Sequence, residues 1–185
     1  DIRVAKSTDG AATFAAPIIV EKTKAYSDAP KIAVDGQGVL HLAYNEGRRV
    51  RYTRSSDGGA RFAPPRDLSD GDGGFPALSL DSKGNIYVLW ERFLEPYPPR
   101  GLELAVSADQ GSTFRKIEVP ESTGAGHNGS LQGLLMRKLA VGADGAVAID
   151  LHVADRKQEQ LRLEPAARVD SKIVRPARNR IDDES

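Results

Sequence analysis

Several features that commonly reveal a protein's class are missing from this 185-residue chain. It has no cysteine, which excludes a disulfide-stapled scaffold. Its 26 basic residues balance its 26 acidic residues, so the composition gives no indication of a nucleic-acid or anionic-membrane partner. No hydrophobic run approaches the roughly 20 residues that a transmembrane helix requires. What remains is a chain of mixed composition that is long enough to bury a core as one domain.

An eight-residue pattern occurs three times along the chain, with its copies about 50 residues apart. Each copy starts with Ser, has Asp two positions later and ends with Phe. The Asp side chain can accept hydrogen bonds from the backbone N–H groups that follow it, and Gly59 and Gly111 can adopt the positive φ of a tight turn. The pattern therefore predicts three hairpin turns, which we call the repeat turns. Their residues are Ser7, Asp9, Phe14, Ser55, Asp57, Gly59, Phe62, Ser107, Asp109, Gly111, Thr113 and Phe114.

These turns resemble the Asp-box, or bacterial neuraminidase repeat, of the sialidase-like β-propellers. The copy around Asp109 matches the family pattern except that Phe114 stands where Trp is usual, and the two upstream copies depart at one further position each, Ala11 and Arg61. The resemblance implies an all-β fold, a partial sialidase-like β-propeller built from four-stranded antiparallel meanders. It does not imply one function, because the same box occurs in sialidases, other glycan hydrolases, sorting receptors and photosystem assembly factors.

Alternating apolar runs separated by turn residues place about three blades on the chain. We expect a half blade at 1–20, complete blades at 26–68 and 75–119, a degenerate blade at 131–174 and a charged tail at 175–185. Closed propellers need at least four blades. We therefore expect a fragment of a longer polypeptide, with pairing between copies of the chain as the alternative.

The topology of a blade separates structural residues from candidate binding residues. In an antiparallel meander, the turns that join strands one to two and three to four lie on one face. The turns that join strands two to three, and the links between blades, lie on the opposite rim. The repeat turns join strands three and four, so Asp9, Asp57 and Asp109 are predicted to be structural rather than catalytic. The resemblance implies that the opposite rim carries the ligand site.

Candidate binding residues lie on that rim. Arg48 and Arg100 each stand seven residues before the box serine of their blade. The resemblance to sialidases implies that such arginines hold a substrate carboxylate, which a bidentate guanidinium matches well, although a solvated loop arginine is the simpler interpretation. Glu46 and Glu91 end the second strands at positions that we take as equivalent, where a carboxylate pair could hydrolyse a glycoside. The full set is Glu46, Arg48, Glu91, Arg92, Tyr97 and Arg100.

A metal site has weaker support in the sequence. Asp67, Asp70 and Asp72 offer the hard oxygen ligands that calcium uses, but their loop lacks EF-hand spacing, so an acidic turn is the simpler interpretation. His41 and His152 lie in second strands without the paired ligands that would indicate zinc. We expect no cofactor.

Two classes of function remain. The first is a non-catalytic propeller segment that binds a glycan or a protein on its loop rim and can self-associate to complete the ring. The second is a fragment of a sialidase-like exo-glycoside hydrolase, for which the resemblance implies a tyrosine nucleophile activated by Glu, an Asp acid and an arginine triad. We favour the first, because we match no Tyr to that nucleophile and find no Arg-Ile-Pro segment. Asp1 in place of an initiator Met indicates a processed or cut N-terminus, and we expect a secreted or periplasmic protein.

Overall fold

The computed structural model describes residues 1–93, 100–122 and 139–149, with the backbone alone at Arg100. The secondary structure in these ranges is entirely β, as the sequence predicted, and no helix there has the length and apolarity of a membrane span. The strands are β1 Arg3–Val4, β2 Ile18–Ile19, β3 Ser27–Val34, β4 Leu40–Glu46, β5 Arg49–Ser55, β6 Arg66–Asp67, β7 Gly73–Leu80, β8 Ile86–Phe93, β9 Arg100–Ser107, β10 Arg115–Glu118, β11 Leu139–Val141 and β12 Val147–Ile149.

The strands form antiparallel sheets that follow one another along the chain. Strands β3-β4-β5-β6 make one complete four-stranded meander, blade A, and β7-β8-β9-β10 make a second, blade B. Two-stranded sheets flank them, β1-β2 before blade A and β11-β12 after blade B. This succession of meanders is the architecture of a partial β-propeller, as predicted from the sequence.

Successive sheets pack face to face through apolar clusters, because alternate side chains of each strand point to opposite faces. Tyr52 of blade A and Trp90 of blade B are buried in the cluster between the two blades. Leu42 and Tyr44, on the other face of blade A, pack with Ile2 next to the first sheet. The third cluster joins blade B to β11-β12, through the residues Leu89, Leu102, Leu104, Leu139, Val141 and Ile149.

The repeat turns are held by hydrogen bonds within each turn. Asp109 Oδ1 accepts hydrogen bonds from the Ser107 hydroxyl at 2.7 Å and from the Thr113 N–H at 2.8 Å, while Oδ2 accepts one from the Thr113 hydroxyl at 2.6 Å. Hydrogen bonds from Thr113 therefore hold the pKa of Asp109 well below its usual range. In the second turn, hydrogen bonds led by the Arg61 N–H lower the pKa of Asp57 to about 2. These carboxylates are engaged inside their turns.

Two strand boundaries lie close to prolines. The outer strand of blade A is short, Arg66–Asp67, because Pro64 and Pro65 have no N–H to donate to a ladder. Strand β7 starts before Pro76 and includes Gly73 and Gly74, which the sequence placed in a link between blades. The start of β7 therefore reaches the rim.

Candidate functional site

The rim opposite the repeat turns is built from three segments. They are the turn that joins β4 to β5, at 45–49, the link between blades with the start of β7, at 67–75, and the end of β8, at 91–93. A hydrogen bond from the Gly73 N–H to the Arg48 carbonyl, 3.0 Å long, ties the first segment to the second. We call these three segments the rim.

Phe75 holds an unusual backbone position at this rim. Its φ of 55° lies in the left-handed region, which side chains other than glycine rarely adopt. A β-bulge between Gly74 and Ala77 produces this conformation, and the Phe75 N–H donates to Oδ1 of the buried Asn45 at 3.0 Å. Blade A has the same bulge in β3, where Ala29 has a φ of 49°. The bulge is therefore a shared feature of the blades, and only blade B uses it to place an aromatic ring.

The Phe75 ring belongs to a small cluster of rim side chains. It meets the Phe93 ring edge to face, with centroids 6.0 Å apart and planes at 83°. Arg48 Cζ lies 5.8 Å from the Phe93 centroid, within the range of a cation–π contact. Gly74 permits this packing, since a Cβ there would lie 2.8 Å from Phe93 Cζ. We call Arg48, Phe75 and Phe93 the aromatic cluster.

Glu46 is part of an ion-pair network centred on Arg51. Arg51 Nη1 lies 2.5 Å from Glu46 Oε2 and 2.6 Å from Glu21 Oε2, and its Nε lies 3.0 Å from Asp67 Oδ1. Glu21 also accepts a hydrogen bond from the Tyr44 hydroxyl at 3.1 Å, and burial raises the pKa of Tyr44. The Glu46 carboxylate, in β4, is thus neutralised by Arg51 of the neighbouring strand β5.

Arg92 is also paired within the protein. Its Nε lies 3.2 Å from Asp72 Oδ2, and its Nη1 lies 3.9 Å from Glu118 Oε2. The backbone supports the first contact, because the Phe93 N–H donates to the Asp72 carbonyl at 2.6 Å. Arg92 therefore joins the end of β8 to the link between the blades.

The predicted equivalence of Glu46 and Glu91 is wrong. The β-ladder places Asn45 opposite Asp28 and Glu91 opposite Gly74, so the counterpart of Glu91 in blade A is Asn45. Glu46 instead corresponds to Arg92. Glu91 is only 1% exposed, within β8, whereas Glu46 is half-buried near the end of β4. The two carboxylates therefore do not form a repeated pair.

For two other predicted residues the structure does not describe the side chain. Tyr97 lies outside the described residues. Arg100 begins β9 opposite Phe93, and its side chain lies outside the description.

The three aspartates considered as calcium ligands each pair with different basic side chains. Asp67 pairs with Arg49 and Arg51, Asp70 Oδ2 lies 3.2 Å from Lys116 Nζ, and Asp72 pairs with Arg92. Across 1–93, 100–122 and 139–149, no three His, Cys, Asp or Glu side chains are grouped so as to hold a metal ion. The loop is held by ion pairs to neighbouring strands.

His41 is a buried group whose contacts the sequence did not reveal. Its Nδ1 lies 2.7 Å from Tyr52 Oη, and its Nε2 lies 3.3 Å from Asp35 Oδ2. Asp35 Oδ1 in turn accepts hydrogen bonds from the backbone N–H groups of Gln37 and Val39, each at 2.9 Å. Burial lowers the pKa of His41, although Asp35 opposes this shift. This chain joins the β3–β4 turn to the interface between the blades.

His41 should make the fold sensitive to mild acid. Since its folded-state pKa lies below its unfolded value, the unfolded chain binds the proton more tightly. The associated stability is complete above about pH 6.5 and declines as the pH falls through that value towards the folded pKa. We expect the denaturant midpoint to fall between about pH 7.5 and about pH 5.5 in the wild type and to fall less in His41→Gln. An equal fall of the denaturant midpoint in both proteins would show that another titrating group causes the acid sensitivity.

Comparison with known proteins gives limited similarity. No family model matches the chain, and no curated protein matches it. Fourteen chains of solved structures do match. One is an endo-arabinase from Bacteroides thetaiotaomicron, with 15% sequence identity and a TM-score of 0.44, over 78% of this chain and 57% of that chain. The chain thus spans less than two thirds of that protein, and a likeness of this size carries no argument about activity or ligand.

Proposed function

We propose that this chain is a non-catalytic Asp-box propeller segment, secreted or periplasmic, that binds carboxylate-bearing glycans at its rim. The observation that carries the proposal is the aromatic cluster, in which the exposed Arg48 lies over Phe93 and Phe93 meets Phe75 edge to face. Aromatic rings offer a flat apolar surface to the C–H face of a sugar ring. A guanidinium beside them can bind a carboxylate through two parallel hydrogen bonds.

The charge pattern of the rim favours Arg48 as the anion-binding group. Arg49, Arg51 and Arg92 all have carboxylate partners within the protein. Arg48 has no carboxylate partner among the described residues, and its guanidinium is oriented by Phe93 instead. A positive charge that is not neutralised internally remains available to an acidic ligand.

The placement of the carboxylates favours binding over hydrolysis. Glycoside hydrolysis uses two carboxyl groups that face each other across the scissile bond. Glu46 is paired with Arg51, and Glu91 is buried in β8 at a position that corresponds to Asn45 rather than to Glu46. A sialidase-like hydrolase in a longer polypeptide is therefore our second interpretation.

A glycan array tests the proposal. We expect the wild type to prefer sialylated or uronic-acid glycans over neutral glycans of the same length. In Arg48→Gln the affinity for the acidic glycans should fall about tenfold or more, because a charge-assisted bidentate contact is lost. The matched control is Arg49→Gln, which removes a neighbouring exposed charge that is already paired with Asp67. Phe93→Ala should weaken the binding of acidic and neutral glycans alike.

Three outcomes would contradict this function. Absence of any glycan binding by the wild type would reject it. Equal losses of affinity in Arg48→Gln and Arg49→Gln would show that the effect comes from the net charge of the rim and not from Arg48 itself. Hydrolysis of a fluorogenic sialoside that disappears in Arg48→Gln would favour the hydrolase instead.

A further inference from the structure

The chain contains six Asp-Gly steps, at which an aspartate is followed directly by a glycine. At such a step the backbone nitrogen of the glycine can approach the side-chain carboxyl carbon of the aspartate, because glycine has no side chain to hinder it. This approach starts a covalent rearrangement of the backbone. The six steps all lie within the described residues, at Asp9-Gly10, Asp35-Gly36, Asp57-Gly58, Asp70-Gly71, Asp72-Gly73 and Asp144-Gly145.

In three of these steps the carboxylate is held by hydrogen bonds inside its own turn. Hydrogen bonds from Thr13 hold the pKa of Asp9 well below its usual range, and those led by the Arg61 N–H lower the pKa of Asp57 to about 2. Asp35 accepts two backbone N–H groups of the β3–β4 turn. A carboxylate that stays ionised and hydrogen-bonded is a poor target for the glycine nitrogen, since only the protonated acid loses its hydroxyl as water.

In two further steps the glycine N–H is already engaged. The Gly73 N–H donates to the Arg48 carbonyl at 3.0 Å, and the preceding Asp72 pairs with Arg92. The Gly145 N–H donates to the Gly142 carbonyl, also at 3.0 Å. A hydrogen-bonded N–H cannot turn towards a neighbouring carboxyl group until its bond is broken.

The remaining step, Asp70-Gly71, has neither restraint. The Asp70 side chain is 90% exposed, and its oxygens lie 3.2 and 3.3 Å from Lys116 Nζ. Across residues 1–93, 100–122 and 139–149, it has no other hydrogen-bond partner, and no acceptor holds the Gly71 N–H. Gly71 has a φ of 100°, a conformation that favours glycine. Both reacting groups are therefore free in the folded chain.

We propose that Asp70-Gly71 is a site of spontaneous backbone modification, at which Asp70 is converted to isoaspartate. The Gly71 nitrogen attacks the side-chain carboxyl carbon of Asp70 and forms a C–N bond, and the N–H proton leaves with the carboxyl OH as one water molecule. The product is a five-membered succinimide. Water then opens this ring at either carbonyl. Opening at the former side-chain carbonyl restores aspartate, and opening at the main-chain carbonyl gives isoaspartate, so water is the only co-reactant.

The modification would change a segment of the rim whose ends are fixed. On one side, Ser69 Oγ accepts a hydrogen bond from the Val50 N–H at 2.9 Å, and on the other the Asp72 carbonyl accepts one from the Phe93 N–H at 2.6 Å. In isoaspartate the backbone passes through the former side chain, which adds one carbon between these two fixed points. The chain keeps its mass and its charge, while the carboxylate of residue 70 moves away from its present position beside Lys116.

Peptide mapping of incubated protein tests the proposal. The wild type is kept folded for several weeks at mildly acidic pH and physiological temperature, and circular dichroism confirms that it stays folded. Trypsin then releases the peptide 67–83, which carries both Asp70 and Asp72, and electron-transfer fragmentation locates the isoaspartate. We expect at least about fivefold more isoaspartate at Asp70 than at Asp72, because the Gly73 N–H must first lose its hydrogen bond.

Two controls separate the effect of the fold from that of the local sequence. In denaturant both glycine N–H groups are free, so the two steps should form isoaspartate in similar amounts. Asparagine reacts through the same succinimide with loss of ammonia, so Asp70→Asn should deamidate faster than the matched variant Asp72→Asn in the folded protein. Deamidation is followed by the mass increase of the peptide.

Three results would overturn the assignment. Similar amounts of isoaspartate at Asp70 and Asp72 in the folded protein would show that the fold does not select the site. A larger amount at any of the other four Asp-Gly steps would place the modification elsewhere. No isoaspartate at Asp70 in the folded protein, under conditions that form it in the denatured chain, would show that the link between the blades protects this step.

Discussion

Gly111→Ala is expected to destabilise the fold by about 2–5 kcal/mol, the largest loss that we predict for a single methyl group. Gly111 has a φ of 81°, and an added Cβ would lie 2.6 Å from Tyr52 Cε1 and 2.7 Å from Tyr52 Cζ. The Tyr52 ring cannot easily move away, because it is buried, packs edge to face on Phe114 and contacts His41. Backbone strain and overpacking therefore add at one position.

Gly59→Ala is the matched control for this prediction. Gly59 occupies the same place in the preceding repeat turn, with a φ of 89°, but its added Cβ would meet only Leu40 Cδ2 at 3.5 Å. The Gly59→Ala variant should be destabilised only by the strain of the left-handed backbone, which costs about 1–2 kcal/mol. Denaturant unfolding of both variants measures the difference. Equal losses would show that the contact between Gly111 and Tyr52 does not limit the packing of blade B on blade A.

Arg51→Met is expected to lower the free energy of unfolding by about 3–5 kcal/mol, because it leaves partly buried carboxylates without their cation. Arg51 is 16% exposed, pairs with Glu21, Glu46 and Asp67, and donates a further hydrogen bond to the Pro65 carbonyl at 3.2 Å. Met retains much of the apolar volume of the side chain. The loss of unfolding free energy in Arg51→Met therefore measures the contribution of the charge network rather than of lost apolar packing.

Arg49→Met is the control for Arg51→Met. Arg49 is 56% exposed and pairs with Asp67 alone among the described residues. A surface ion pair of this kind contributes about 0–1 kcal/mol. Thermal and denaturant unfolding of the two variants should differ clearly. A loss in Arg49→Met as large as that in Arg51→Met would indicate that Asp67, rather than the whole network, carries the stabilisation.

The repeat turns were predictable because their interactions are local. Ser107, Asp109 and Thr113 contact one another within six residues, so their spacing in the chain almost determines their spacing in the structure. The alternation of apolar residues predicted the strands for a similar reason, since it sets which face each side chain takes. The bulges in β3 and β7 were not predicted, because the residue before a proline usually has an extended backbone, whereas Ala29 and Phe75, which precede Pro30 and Pro76, have φ values of 49° and 55°.

The candidate site was less predictable because its contacts are long-range. Arg51 meets Glu21 across 30 residues, and Phe75 is held by Asn45 across the same separation. No local pattern encodes either contact. The sequence selected Arg48 and Arg92 as candidates, but it did not show that Arg92 is neutralised by Asp72 while Arg48 lies over Phe93.

By itself, the sequence determined the all-β class, the repeat turns and the succession of antiparallel meanders, since these depend on side-chain alternation and on hydrogen bonds between near neighbours. Only the tertiary structure decided which charged side chains neutralise each other and which glycine faces Tyr52. Those outcomes depend on how one sheet packs on the next. Gly59 and Gly111 show this most clearly, because they hold the same place in two repeat turns and only Gly111 faces Tyr52.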